Sequence, residues 1–150
     1  MSQKNLGIIG GGQLGSMLSQ AAKKLNIRTT IYSDDIDAPA QNFCDEFICG
    51  EYHNKKKVLE FVSKVDVITY EFENIPYETL NEMNKLKSVL PKPSVNRLIQ
   101  HRIAEKDFIN KLNIRTTRYV LIEKKTDIET LGDFLPGILK TTTMGYDGKG

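Results

Sequence analysis

A short apolar run at residues 6–9 ends at Gly10-Gly11-Gly12-Gln13-Leu14-Gly15, and apolar residues then recur at Leu14, Met17, Leu18, Ala21, Ala22 and Leu25. The first run has strand character and the second has helical spacing. Gly10, Gly12 and Gly15 therefore fit G-x-G-x-x-G between a strand and a helix, the context that motif requires. In such a turn the first glycine makes the tight reversal. The second lets the backbone approach a phosphate, and the third lets helix and strand pack closely. The helix start also offers free N–H groups and a positive dipole end to an anion. Few sequence features restrict a fold as strongly, although three glycines also suit a strand-to-helix turn that binds nothing.

The alternation continues down the chain. Residues 29–32 are β-branched and aromatic and read as a strand, followed by a turn-rich loop through Pro39. Asn26 suits the stop of the preceding helix. Residues 47–49 read as a third short strand. Lys55, Lys56 and Lys57 lead into a helix carrying Val58, Leu59, Phe61, Val62 and Val65. Residues 67–70 form the next strand, and Pro76 suits the first turn of a helix with Leu80, Met83 and Leu86. A brief strand at 89–90 precedes Pro91 and Pro93. Ser94 reads as the cap of a helical stretch that runs to about Leu112 and is interrupted near Arg102. This order predicts an α/β fold, a Rossmann-like open parallel sheet with helices on both faces. Beyond residue 112 the pattern changes. Residues 117–122 and 137–140 read as strands, and Thr126 with Glu129 reads as the capping box of a short helix. The reading is two domains, 1–112 and 113–150, with the second only begun.

Composition narrows the function. Among 150 residues, 21 basic and 19 acidic side chains leave a net charge of +2, too balanced to argue for a nucleic-acid partner. No apolar run is long enough to span a membrane, and no export signal opens the chain, so a cytoplasmic setting is expected. Cys44 and Cys49 stand five apart, and His53 and His101 are isolated, which matches no common zinc pattern. The two thiols read as small packed groups in a reducing compartment.

Two further stretches carry chemistry. Glu71-Phe72-Glu73-Asn74 follows a strand, where open α/β sheets bind ligands; its carboxylates at i and i+2 share a face if the strand reaches that far. A carboxylate there can hold an amine or act as a base, and an exposed acidic loop is the alternative. Gly145-Tyr146-Asp147-Gly148-Lys149-Gly150 is a glycine-rich loop whose N–H groups can cradle phosphate oxygens, with Lys149 and the preceding Lys140 supplying charge. It lacks the Ser or Thr that a Walker A motif needs. Asp34, 19 residues beyond Gly15, suits a ribose hydroxyl in a nicotinamide enzyme.

Together these stretches resemble the 5-(carboxyamino)imidazole ribonucleotide synthases, ATP-grasp enzymes of purine biosynthesis. The likeness rests on residues 7–15, 37–40 (Asp-Ala-Pro-Ala), 66–76, 91–94 (Pro-Lys-Pro-Ser), Arg102, 139–141 (Leu-Lys-Thr) and 145–150, in the family's order along the whole chain. The resemblance implies a pre-ATP-grasp domain followed by the start of an ATP-grasp domain. It implies the ATP-dependent carboxylation of 5-aminoimidazole ribonucleotide by bicarbonate, a carbon–nitrogen ligation through carboxyphosphate. Under it, Arg102 and Lys140 contact ATP, and the loop of Gly145, Tyr146, Asp147, Gly148, Lys149 and Gly150 closes over the phosphates. Glu73, Asn74, Tyr146, Gly12, Gln13 and Leu14 face the ribonucleotide, with Glu73 and Asp147 as the catalytic carboxylates. Mg²⁺ ligands are expected only beyond residue 150, so none is named. The resemblance also implies a homodimer of the full-length enzyme, and a chain of this length that is inactive alone. Thr142 and Thr143 stand where the family usually carries basic residues. The alternative is the dinucleotide-binding domain of an NAD-dependent oxidoreductase, which rests on the first glycine motif and Asp34.

Overall fold

The computed structural model describes residues 3–145. They divide into two compact units, Met1–Arg97 and Leu98–Gly150, a division that falls ahead of the 112/113 boundary expected from the change of pattern.

In the first unit, strands β1 (Asn5–Ile9), β2 (Arg28–Ser33), β3 (Glu46–Cys49) and β4 (Val67–Tyr70) form one sheet in the order β3-β2-β1-β4. Every pairing is parallel. The expected strand at 89–90 is reduced to an isolated bridge between Ile68 and Val89. Helix α1 (Gln13–Lys24) links β1 to β2, α2 (Lys55–Lys64) links β3 to β4, and α3 (Tyr77–Leu86) follows β4. The period of two sends alternate side chains to opposite faces. Ile9, Tyr32, Ile48 and Ile68 meet Phe61, Val62, Leu80 and Met83 of α2 and α3 in the larger core. Ile8 and Ile31 face the other way, toward Ala40 of the 3-10 turn Pro39–Asn42. Buried strands of this kind are rich in Ile and Val because both faces are covered.

Helix α1 turns out differently from its apolar pattern. Leu14 is 56% exposed, Met17 57% and Leu18 38%, while Gly15, Ser16, Ser19 and Ala22 are buried. The reason is the closeness of the helix to the preceding loop. A Cβ on Gly15 would lie 2.7 Å from the carbonyl oxygen of Gly10 and 3.4 Å from Ala40 Cβ. Only small side chains fit that approach, so the large ones face outward. The helix ends where expected: Asn26 has φ 56°, and its N–H and that of Ile27 return to the carbonyls of Lys23 and Ala22, the Schellman arrangement.

Helix α4 (Pro93–Ile99) begins at Pro93, so Ser94 lies in its first turn and is not its cap. The break before α5 (Arg102–Lys111) falls at 100–101, and His101 Nδ1 accepts the Ala104 N–H at 3.4 Å as the cap. Neither 117–122 nor 137–140 forms a strand. A strand needs a neighbour for its N–H and C=O groups, and neither segment pairs with one among the described residues. The short helix expected near Thr126 is a 3-10 turn, Lys125–Thr130. Its N-cap is Lys124, and Asp127 inside the turn reaches back, its Oδ2 accepting the N–H groups of Glu123 and Lys124 at 3.0 and 3.1 Å, so the reciprocal acidic residue is Asp127 and not Glu129.

Candidate functional site

Because all four strands are parallel, their carboxyl ends lie on one edge, and the loops that leave them converge there. A cavity of about 210 Å³ opens at that edge. It is lined by Gly10, Gly11 and Gly12 after β1, by Ser33 at the end of β2 with Asp34 and Asp35 after it, by Tyr52 after β3, and by Glu71 after β4. The lining is held from behind. Thr79 Oγ1 donates to the Tyr52 carbonyl at 2.9 Å, and the buried Asn96 side chain donates to the Ile75 carbonyl at 3.3 Å. Asp35 N–H donates to Ser33 Oγ at 3.2 Å and Asp37 N–H to Asp35 Oδ1 at 2.9 Å, which closes the turn after β2.

The electrostatics of this cavity are acidic. Burial pushes the Tyr52 hydroxyl well above the ordinary tyrosine range, and the Asp34 carboxylate adds to the shift. Tyr32 lies behind it with its hydroxyl on the Glu51 carbonyl at 2.7 Å; burial raises it to about 12.

The Glu71–Asn74 stretch is not a continuation of β4, which ends at Tyr70. The two carboxylates therefore do not share a strand face. Glu71 turns into the glycine loop, where its Oε1 accepts the Gly12 N–H at 3.0 Å. Glu73 is exposed on the following turn, and Asn74 is half-buried. Asn74 Nδ2 and the Tyr70 hydroxyl, both buried, have no hydrogen-bond partner among the described residues. Gln13 and Leu14 are exposed at the start of α1, beside half-buried Gly12. Of the ribonucleotide-facing residues in the sequence reading, Gly12 lines the cavity, while Gln13, Leu14, Glu73 and Asn74 follow the ends of β1 and β4 without lining it. The cavity adds Glu71, Tyr52, Ser33 and Asp35. The signal for Glu71 lay in strand order: β1 beside β4 pairs Ile9 with Tyr70, which puts the next residues, Gly10 and Glu71, side by side.

The second unit carries the two basic candidates, Arg102 and Lys140. Arg102 donates its backbone N–H to the Thr142 carbonyl at 2.8 Å. Its Nε donates to the Thr141 carbonyl at 2.9 Å, and a terminal nitrogen donates to the Gly145 carbonyl. One side chain therefore ties the start of α5 to the segment after Lys140. Lys140 itself is exposed. Tyr146, Asp147, Gly148, Lys149 and Gly150 lie outside the described residues. No group of three or more His, Cys, Asp or Glu side chains among the described residues could hold a metal ion, and no helix among them is long and apolar enough to cross a membrane. Cys44 and Cys49 are free thiols, half-buried.

Known proteins share this arrangement. An N5-carboxyaminoimidazole ribonucleotide synthase of Brucella melitensis is 40% identical over 147 residues, 97% of this chain and 41% of that protein. The crystal structure of the ADP complex of an N5-carboxyaminoimidazole ribonucleotide synthetase matches with a TM-score of 0.90 at 34% identity, over 100% of this chain and 40% of that one. The Aspergillus clavatus enzyme in complex with ADP and 5-aminoimidazole ribonucleotide matches with a TM-score of 0.76 at 25% identity, over 89% and 36%. The chain thus spans about 40% of the length of these relatives. The model of the ribonucleotide synthetase preATP-grasp domain matches residues 3–100. With its four-stranded parallel sheet, its glycine turn and the acidic loop beside that turn, the chain belongs to the ribonucleotide synthetase preATP-grasp family.

Proposed function

We propose that this chain is the N-terminal part of an N5-carboxyaminoimidazole ribonucleotide synthase. In this reading the whole enzyme uses ATP and bicarbonate to carboxylate 5-aminoimidazole ribonucleotide in purine biosynthesis. The observation that carries it is the match over the full chain to an ADP-bound synthetase, together with the tie between Arg102 and the segment that leads into the glycine-rich loop. A guanidinium has five N–H donors, so Arg102 keeps donors for a nucleotide phosphate beyond those on Thr141 and Gly145. Lys140, next in sequence to Thr141 and exposed, adds a point charge. These two residues fit ATP by charge and reach. Mg²⁺ ligands belong, in this reading, to the remaining 60% or so of the relatives' length, where the metal would neutralise phosphate charge.

At the sheet edge, Glu73 takes the proton of the ribonucleotide amine in this reading, the part a carboxylate general base plays. Asn74 and Tyr70, with their orphaned polar atoms, supply hydrogen bonds beside it. Residues 1–112 act as the preATP-grasp domain and 113–150 begin the nucleotide-binding domain. Asp147 and Tyr146 join the ribonucleotide site, and Gly148, Lys149 and Gly150 cover phosphate. A cytoplasmic homodimer is part of the same reading.

The test is a chimera. This chain replaces the first 147 or so residues of the Brucella melitensis relative, and ATP- and bicarbonate-dependent consumption of 5-aminoimidazole ribonucleotide is followed. Activity that falls at least about a hundredfold with Glu73→Gln is expected, the usual size of a general acid–base contribution. Unchanged activity in that variant removes Glu73 from its role. Saturable micromolar NADH binding by the 150-residue chain would overturn the ligase reading in favour of a dinucleotide domain.

A further inference from the structure

The glycine turn and α1 have every part of a phosphate seat: a strand end, a glycine-rich reversal, and N–H groups at the positive end of a 12-residue helix. The seat is filled from within the chain. Glu71 Oε1 accepts the Gly12 N–H at 3.0 Å, from 59 residues away. Backbone pairing carries it there, since the Glu71 N–H donates to the Ile9 carbonyl at 3.0 Å at the end of β1. The carboxylate lies over two of the motif's three glycines. A Cβ on Gly10 would come within 2.7 Å of Glu71 Oε1, and one on Gly12 within 3.2 Å. Asp34 and Asp35 line the same cavity, so its walls hold two more carboxylates that repel a phosphate.

We propose that Glu71 is a resident anion that occupies the phosphate seat of the glycine turn and closes it to phosphate- and pyrophosphate-bearing ligands. The G-x-G-x-x-G turn then works as a scaffold. It fixes the start of the Glu71–Asn74 loop against α1, and a ribonucleotide that rests on this edge keeps its phosphate away from the turn. Specificity follows from a charge already in place: a dinucleotide would have to displace a carboxylate that is both hydrogen-bonded and of its own sign. The inference stands on the Glu71 contact and goes beyond the ligase reading. A phosphate on the turn would overturn it and leave ATP binding at Arg102 and Lys140 untouched.

The experiment follows the Gly12 amide in the two-dimensional amide NMR spectrum of the 150-residue chain during titration with inorganic pyrophosphate. In the wild type the Gly12 amide should not respond saturably. Glu71→Ala should bind pyrophosphate at that amide about tenfold or more tightly than any residual wild-type response, and Glu71→Gln, which keeps an acceptor and loses the charge, should lie between. Saturable pyrophosphate or NADH shifts at Gly12 in the wild type overturn the proposal, as does a Glu71→Ala chain with a dispersed, folded spectrum and no gain. If Glu71→Ala does not fold, the wild-type titration and Glu71→Gln decide the matter by the same two outcomes.

Discussion

Gly10→Ala tests how tightly the glycine turn and Glu71 are coupled. Gly10 has φ 104°, a conformation that L side chains rarely adopt, and holding a non-glycine residue in such a sparsely populated region costs about 1–3 kcal/mol. The new Cβ would also lie 2.7 Å from Glu71 Oε1 and 2.9 Å from Cδ and Cγ, closer than real contacts allow. The carboxylate must therefore leave the Gly12 N–H. A hydrogen bond to a charged group contributes about 1.5–3 kcal/mol when buried; this one is part-buried, so about 1–2 kcal/mol is reasonable. The sum is about 2–5 kcal/mol against a typical domain stability of about 5–15. With a urea slope of about 1–3 kcal/mol/M, the midpoint followed by circular dichroism should fall by about 2 M. Glu71→Ala alone should cost only the hydrogen bond. In the double variant that loss is shared, so the total should fall short of the sum by about 1–2 kcal/mol. Additivity within about 0.5 kcal/mol, the result for independent sites, would refute the claim that Glu71 presses on Gly10.

Other outcomes test the core behind the site. Phe61 is fully buried and stacks on Tyr32 at 5.5 Å between centroids. Phe61→Ala should therefore cost about 3–5 kcal/mol in urea unfolding, the range for large aromatic deletions; a loss under about 1 kcal/mol would mean that α2 is not packed on the sheet. Tyr32 ionises at about 12 in the folded chain and near 10 when unfolded. The folded state thus favours the neutral phenol: its contribution is complete below pH 10 and is lost as pH rises toward 12. Absorbance of tyrosinate should show late-titrating tyrosines, Tyr32 and Tyr52 among them, and Tyr32→Phe should remove the step near pH 12; an unchanged titration in Tyr32→Phe would contradict the assignment.

Much of the fold was legible locally. Strand residues such as 29–32 and 67–70 and helical periods such as that around Phe61 and Val62 are properties of short windows. Asn26 marked a helix end because asparagine tolerates the left-handed conformation, and the structure puts it there. Residues 117–122 and 137–140 read as strands in the sequence and are not strands in the structure, for the opposite reason. Their β-branched or apolar character permits a strand, but a strand exists only where another chain segment completes its hydrogen bonds. The candidate site divides similarly. Gly12, Glu73 and Asn74 could be named from the motif and the resemblance. Glu71 stood in the same stretch, but its role depended on whether β4 continued, and β4 ends one residue before it.

The sequence by itself determined a strand, a glycine turn and a helix at residues 5–24, the parallel α/β class that follows from strict alternation, and the clustering of chemistry at strand ends. These are consequences of backbone freedom at glycine and of hydrophobic period, both local quantities. Tertiary structure alone decided which face of α1 is buried, because a Cβ on Gly15 would come within 2.7 Å of the Gly10 carbonyl, an approach that selects small residues over large hydrophobic ones. It alone decided that the Gly12 N–H of the turn meets Glu71, because strand order and register bring together residues 59 apart. A glycine motif states that an anion can be held there. Which anion is present depends on what the neighbouring strand delivers.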